Sequence, residues 1–186
     1  MISYTKGDIV KIFGAGHDIA HGCNCMCSMG GGVAAQLAVA FPQISESDDL
    51  EDDYYAFTQL KLGKYSSAAT EKGNICYNLY TQHNPGPNVD YGAILNAFIN
   101  LRKERQYLCN KKPIYIPRIG AGIAGGHWPT IEKLINIACP DINIIVVDYD
   151  EDAAIPNSYK EASESIEDIF AIEKDIEKGL EELECL

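Results

Sequence analysis

Two rhythms of hydrophobic positions run along the first 150 residues. Short apolar runs at Ile2–Tyr4, Ile9–Phe13, Asp18–Asn24, Pro113–Pro117 and Ile142–Val147 read as strands, with Gly7-Asp8 as the turn between the first two. Lys64–Thr70 and Asn74–Tyr80 read as two further strands around Glu71-Lys72-Gly73. Between them lie segments with helical spacing. Val33–Phe41 is Ala-rich and stopped by Pro42, and the acidic stretch Glu46–Asp53 leads into a helix ending near Leu62. Asp90 is placed to cap a helix reaching about Cys109, with Ile94, Leu95, Phe98 and Leu101 at helical spacing. Thr130–Cys139 is one more helix.

Strands that alternate with helices, several of them apolar throughout, imply a sheet covered on both faces. The expected fold class is α/β, a three-layer α/β/α sandwich with a mixed central sheet. Residues 151–159 read as a linker. Ser163–Leu186 reads as an amphipathic C-terminal helix, with Ile166, Ile169, Ile172, Ile176, Leu180 and Leu183 on one stripe. The chain divides accordingly into a body, 1–150, and an acidic linker and helix, 151–186. That helix is expected to dock on the body; an oligomer or partner contact through it is the alternative.

Charge sharpens this division. The formal net charge is −12, and from Glu151 onward there are 12 acids against 3 bases, so the body is nearly neutral. A chain this acidic does not bind nucleic acid by replacing counterions. No apolar run approaches the ~20 residues of a membrane span, and the N-terminus lacks a signal-peptide pattern, so the expected location is cytoplasmic. Seven cysteines without an export signal are read as reduced thiols. Cys23, Cys25 and Cys27 form C-x-C-x-C, but a structural zinc site needs a second close ligand pair, and Cys76, Cys109 and Cys139 stand alone. No metal and no cofactor is expected.

Chemistry concentrates in two glycine clusters, Met29-Gly30-Gly31-Gly32 and Gly120–Gly126, each where a strand gives way to a helix. Such turns offer backbone N–H groups, and the helix dipole adds partial positive charge. With few basic residues in the body, main-chain capture is the way to hold an anion, and two such turns suit a pyrophosphate. The second cluster fits G-x-G-x-x-G, with Asp141 and Asp148 near the ribose-binding distance of a dinucleotide fold. That fingerprint normally opens its domain, whereas here little but an acidic tail follows. Neither a P-loop motif nor a G-x-S-x-G nucleophile elbow occurs.

These segments resemble the macrodomain family. Gly7-Asp8-Ile9, His21-Gly22-Cys23-Asn24-Cys25 and Met29-Gly30-Gly31-Gly32-Val33-Ala34 look like its ADP-ribose-binding elements, and Pro117–Ile123 followed by Trp128 looks like its second phosphate loop. Ile19–Pro42 is most similar to the fungal-type ADP-ribose 1″-phosphate phosphatases. The resemblance implies that Asp8 accepts from the adenine amino group, that Asn24 contacts the distal ribose, and that Gly30–Val33 and Gly120–Ile123 wrap the diphosphate. Ile9, Cys23, Met29, Ala34, Ala121, Gly122 and Ala124 lie in the same motifs and join the expected ligand shell, with Tyr80 as a ribose cover. The related terminal ADP-ribose glycohydrolases use a lysine and an aspartate where this chain has Gln82 and Ala124, so their covalent route is not expected.

The expected activity is hydrolysis of ADP-ribose 1″-phosphate to ADP-ribose and phosphate. His21 is the candidate for proton transfer, since an imidazole with a pKa near ~6.5 suits neutral pH, and Asn24 would orient the ribose. The alternative for His21 is a strand histidine bonded to a backbone carbonyl. In a regular strand His21 and Asn24 face opposite sides, so the chain is expected to bend near Gly22. His83 and His127 read as loop or helix-cap residues. Three other readings stay open: a non-catalytic binder, sensor or sink, of ADP-ribose or another NAD-derived signal, a glycohydrolase or other ADP-ribosyl hydrolase, and an interaction module using the tail helix.

Overall fold

A computed structural model describes residues 2–54 and 58–159, with the side chains of 51–54 left out of the account. The C-terminal helix expected at 163–186 lies outside the described residues. β1 (Ile2–Gly7) leads into α1 (Ile9–Gly14), then β2 (Asp18–Asn24), α2 (Gly32–Ala40) and α3 (Gln43–Tyr54). A 3-10 turn, Thr58–Lys61, precedes the hairpin of β3 (Tyr65–Ala69) and β4 (Ile75–Gln82). α4 (Tyr91–Tyr107), β5 (Ile114–Ile116), α5 (Trp128–Ala138) and β6 (Ile144–Tyr149) complete the body.

The six strands form one sheet in the order β1-β6-β5-β2-β4-β3, with only β3 antiparallel to its neighbour. Its two faces bury separate cores. Ile94, Phe98 and Leu101 of α4 and Ile131 and Ile135 of α5 pack with Ala20, Leu79, Ile116 and Val146. On the other face Ile12, Phe13, Leu37 and Ile44 of the first three helices pack with Ile19, Cys76, Tyr115 and Val147. The expected three-layer sandwich with a mixed sheet is therefore present.

One segment corrects the sequence reading. Ile9–Phe13, expected as a strand, is helix α1. Asp8 Oδ1 accepts from Val10 N at 2.8 Å and Lys11 N at 3.4 Å and so starts the helix, while Ile9, Ile12 and Phe13 share one buried stripe. A second difference is smaller: the acidic stretch from Glu46 belongs to α3 itself, rather than leading into a helix.

β2 and β5 are adjacent, yet the chain leaves β2 toward β4 and leaves β5 toward β6. Loops beyond their C-terminal ends thus part to either side, which opens a crevice there, as in other open α/β sheets.

Candidate functional site

A cavity of about 520 Å³ occupies that crevice. The end of β2, the loop into α2, the end of β4 and the loop between β5 and α5 all contribute walls. Of the expected ligand residues, His21, Cys23, Asn24, Gly30, Gly31, Gly32, Val33, Ala34, Gly120, Gly122, Ile123 and Ala124 line it. Both glycine clusters thus open on one space, and they touch: the Ile123 side chain lies 3.3 Å from where a Cβ on Gly31 would sit.

Backbone N–H groups dominate the two loops. Gly32, Val33 and Ala34 open α2, whose N-cap Gly31 supplies no side-chain acceptor. In the second loop the internal turn bonds are donated by Ala121, Gly125 and Gly126. Among the described residues, the amides of Gly122, Ile123 and Ala124 have no backbone acceptor. Two glycines are fixed by geometry. Gly120 has φ +73°, and a Cβ on Gly22 would lie 2.9 Å from Thr81 Oγ1 and 3.1 Å from Ile119 Cγ2, so β2 and the second loop approach closely only without one. Among the described residues Arg118 is the one charged side chain in the lining, and its guanidinium is taken by Asp148, with Nε and Nη2 donating at 2.7 and 3.0 Å.

His21 and Asn24 both reach the cavity, though not by a bend at Gly22. The register slips between Cys23, opposite Tyr80, and Asn24, opposite Gln82. That irregularity one residue before the strand end re-aims Asn24. Asn24 Oδ1 accepts from Met26 N at 2.9 Å, and its Nδ2 donates to Ser28 O at 2.7 Å, which folds the chain back into the first glycine loop. One Nδ2 hydrogen remains for a ligand.

His21 Nε2 donates to Asn78 Oδ1 at 2.7 Å, and the ring also hydrogen-bonds the Gly22 backbone, so a side chain joins the backbone partner of the alternative reading. Asn78 cannot turn over, because its Nδ2 faces three acceptors: Ile44 O, Ser47 Oγ and Ser66 Oγ. The proton is therefore on Nε2, and Nδ1 lies 3.6 Å from Cys23 Sγ. Burial drives the His21 pKa down to about 4, against the support of the Asn78 bond and the Asp48 charge. The ordinary imidazole pKa assumed from sequence is thus corrected: at neutral pH His21 is an uncharged base.

Five expected ligand residues lie off the cavity lining. Asp8 and Ile9 open α1, Met29 and Ala121 pack against the cores, and Tyr80 is fully buried with its hydroxyl donating to Asp48 Oδ1 at 2.7 Å. A ribose cover is therefore the wrong role for Tyr80: strand alternation turns it to the α3 side. Sequence reading passed over Thr81, Pro85, Gly86 and Ile119 as lining residues. The run Asn84-Pro85-Gly86-Pro87 was legible as a loop, but nothing local says that it folds over the crevice. Gln82 lines the cavity, as does Ala124, so the two positions singled out for a lysine and an aspartate do face this space. His83 bonds Thr58 and His127 caps α5, as expected of loop and cap residues. Cys23, Cys25, Cys76, Cys109 and Cys139 are free thiols, and no His/Cys/Asp/Glu group among the described residues has the makings of a metal site. No helix among those residues is long and apolar enough to cross a membrane.

The chain is 30% identical over 164 residues to an ADP-ribose 1″-phosphate phosphatase of Candida glabrata, covering 72% of this chain and 90% of that protein. Its sheet and helices superpose on a macrodomain protein from Streptomyces coelicolor with a TM-score of 0.64, at 27% identity over 81% of this chain and all of that one. The chain belongs to the macrodomain family. A second relative by sequence is an uncharacterised 17.5 kDa protein from the tk-vs intergenic region of Enterobacteria phage T4, 44% identical over 154 residues, or 81% of this chain and 97% of that one. No family model matches the macrodomain chain.

Proposed function

We propose that this macrodomain binds ADP-ribose in the crevice and hydrolyses ADP-ribose 1″-phosphate to ADP-ribose and phosphate. The observation that carries the reading is the pair of amide-lined loops opening on one cavity with Asn24 between them. The Candida glabrata relative, named for that phosphatase activity, supports it. A volume of about 520 Å³ lies within the range of small-molecule sites. Gly30–Val33 and Gly120–Ile123 hold the diphosphate and the terminal phosphate through N–H groups. Asn24 donates its remaining amide hydrogen to the distal ribose. Asp8, whose Oδ1 starts α1, offers Oδ2 to the adenine amino group, with the exposed Tyr149 beside it as a flat surface for the base.

In the reaction, His21 Nδ1 takes a proton from water as the water oxygen attacks phosphorus. The same proton then passes to the departing 1″ oxygen. An imidazolium with a pKa of about 4 gives that proton up readily, so the lowered value suits the second half of the cycle. Amide dipoles stabilise the charge on the phosphate oxygens without reorganising.

A second reading, a binder without turnover, is favoured by one observation: Nε2 of His21, the imidazole that lines the cavity among the described residues, is committed to Asn78. Calorimetric titration with ADP-ribose, followed by phosphate release from ADP-ribose 1″-phosphate in the same sample, tests both. Binding with release supports the phosphatase, and loss of release with retained binding in His21→Ala assigns the proton transfer. Binding without release makes the protein a reader or sink. Absence of binding would sink both.

A further inference from the structure

Beside the first glycine loop, where α3, the 3-10 turn and β4 meet, lies a buried polar cluster that the proposed reaction does not use. Lys61 is fully buried, and its Nζ lies 3.1 Å from Asp48 Oδ1, 3.4 Å from Asp48 O and 3.0 Å from Cys27 Sγ. The ammonium also sits 4.5 Å from the centre of the Tyr80 ring. Cys27 Sγ donates to Asp48 O at 3.3 Å, which fixes the sulfur against the amine. Of this group Cys27 alone is not fully buried, while Lys61, Asp48 and Tyr80 are.

We propose that Cys27 and Lys61 form a redox pair, in which a peroxide oxidises the thiol and the sulfur then closes a bond to Lys61 Nζ. Two observations converge on it, a sulfur–nitrogen contact at hydrogen-bond distance and a cation beside the sulfur to favour its thiolate, at the one member of the group that is not fully buried. The thiol proton passes to solvent water, which leaves the thiolate against the ammonium. The thiolate attacks one peroxide oxygen, forming S–O and breaking O–O. The departing hydroxide takes a proton from Lys61, giving water and a neutral amine. That amine attacks the sulfenic acid sulfur, S–N forms, S–O breaks, and a second water leaves. Thiol, amine and peroxide thus become a sulfenamide and two waters. A dithiol reductant returns both side chains.

The bond has a reach beyond the pair. Met26 and Ser28 flank Cys27, and both are held by Asn24, which lines the cavity with Ser28. Drawing Cys27 onto Lys61 pulls this loop off the wall and weakens ligand binding; this part rests on the ADP-ribose reading.

The full-length protein is treated with substoichiometric hydrogen peroxide, its remaining thiols are alkylated, and the digest is mapped by mass spectrometry. The expected product joins the Cys27 and Lys61 peptides with loss of two hydrogen atoms, forms before the exposed Cys109 is oxidised, and is reversed by dithiothreitol. Oxidation of Cys109 or a buried cysteine first overturns the proposal, as does Cys27 oxidised but not linked to Lys61. Lys61→Arg keeps a cation for Asp48 and should abolish the link. Cys27→Gly suits a backbone at φ 48° and should make ADP-ribose titration indifferent to peroxide, where the parent protein binds severalfold more weakly after it. If the parent protein does not bind ADP-ribose at all, the cavity reading fails while the peptide map still decides the pair.

Discussion

Two buried ion pairs brace opposite ends of β2, and they are built differently. At the start of the strand Asp18 meets Arg105, both side chains at most 1% exposed. Asp18 Oδ2 accepts from Arg105 Nη1 and Asn110 Nδ2, each at 2.9 Å, and Oδ1 accepts from Ile75 N at 2.9 Å. Arg105 Nη2 donates onward to Asn110 Oδ1 and Lys112 O. Every partner is an amide or a carboxylate, none of them chemically reactive, and the guanidinium fork fixes their directions. Beyond the other end Asp48 meets Lys61, a point charge surrounded by a phenol and a thiol. The first pair joins β2, β4, α4 and the chain after it into a rigid corner. The second joins α3 to the loop on which the candidate site depends. Burying charge thus serves the scaffold at one end and couples the scaffold to a loop at the other.

Removing one partner from each pair tests that contrast most strongly. Arg105→Met should cost about 3–5 kcal/mol in urea unfolding, because Asp18 is left charged and dry, yet leave ADP-ribose affinity of the folded fraction unchanged. Lys61→Met should cost a similar amount by the same route and also weaken ADP-ribose binding, since Cys27 and Ser28 lose their anchor. Equal effects of the two variants on binding would erase the distinction.

A pH series comes next in size. The His21 pKa is near 4 in the folded state and about 6.5 when unfolded, so below pH 6.5 the unfolded chain takes up a proton that the native imidazole refuses. Stability is therefore full above pH 6.5 and falls as pH drops toward 4, by about 3 kcal/mol for this group. His21→Gln should flatten that part of the unfolding profile. An unchanged slope would mean that the imidazole is better hydrated than its burial implies.

The smallest stability effect is expected in the second glycine loop. A Cβ on Gly122 meets nothing within 4 Å, so Gly122→Ala should change stability by less than about 0.5 kcal/mol. The methyl group intrudes on the phosphate space, and ADP-ribose affinity should drop about tenfold, or ~1.4 kcal/mol, by calorimetry. Intact affinity would show that this amide does not face the ligand.

These pairs also mark where the sequence stops speaking. β2 was readable because Asp18–Asn24 is a compact apolar run, and the glycine clusters because strand-to-helix turns need them. α1 was misread because five residues rich in Ile and Val suit a strand or a helix equally, and Asp8 decided it through a cap bond. The partners of Arg105 and Lys61 were invisible, since Asp18 lies 87 residues from one and Asp48 lies 13 from the other across a turn. Likewise the fall of the His21 pKa comes from its burial in the folded chain, which no local pattern encodes. Tyr80 was one of eleven tyrosines, and only strand register says which way it points.

The cavity's lack of unpaired charge has a kinetic consequence. An anion is drawn in by amide dipoles, whose pull fades within a few ångströms, while at longer range it meets a protein of net charge −12. Added salt screens that outer repulsion and leaves the inner contacts almost untouched. Association with a diphosphate should therefore quicken as ionic strength rises, with dissociation nearly constant, the reverse of a site built on lysine and arginine.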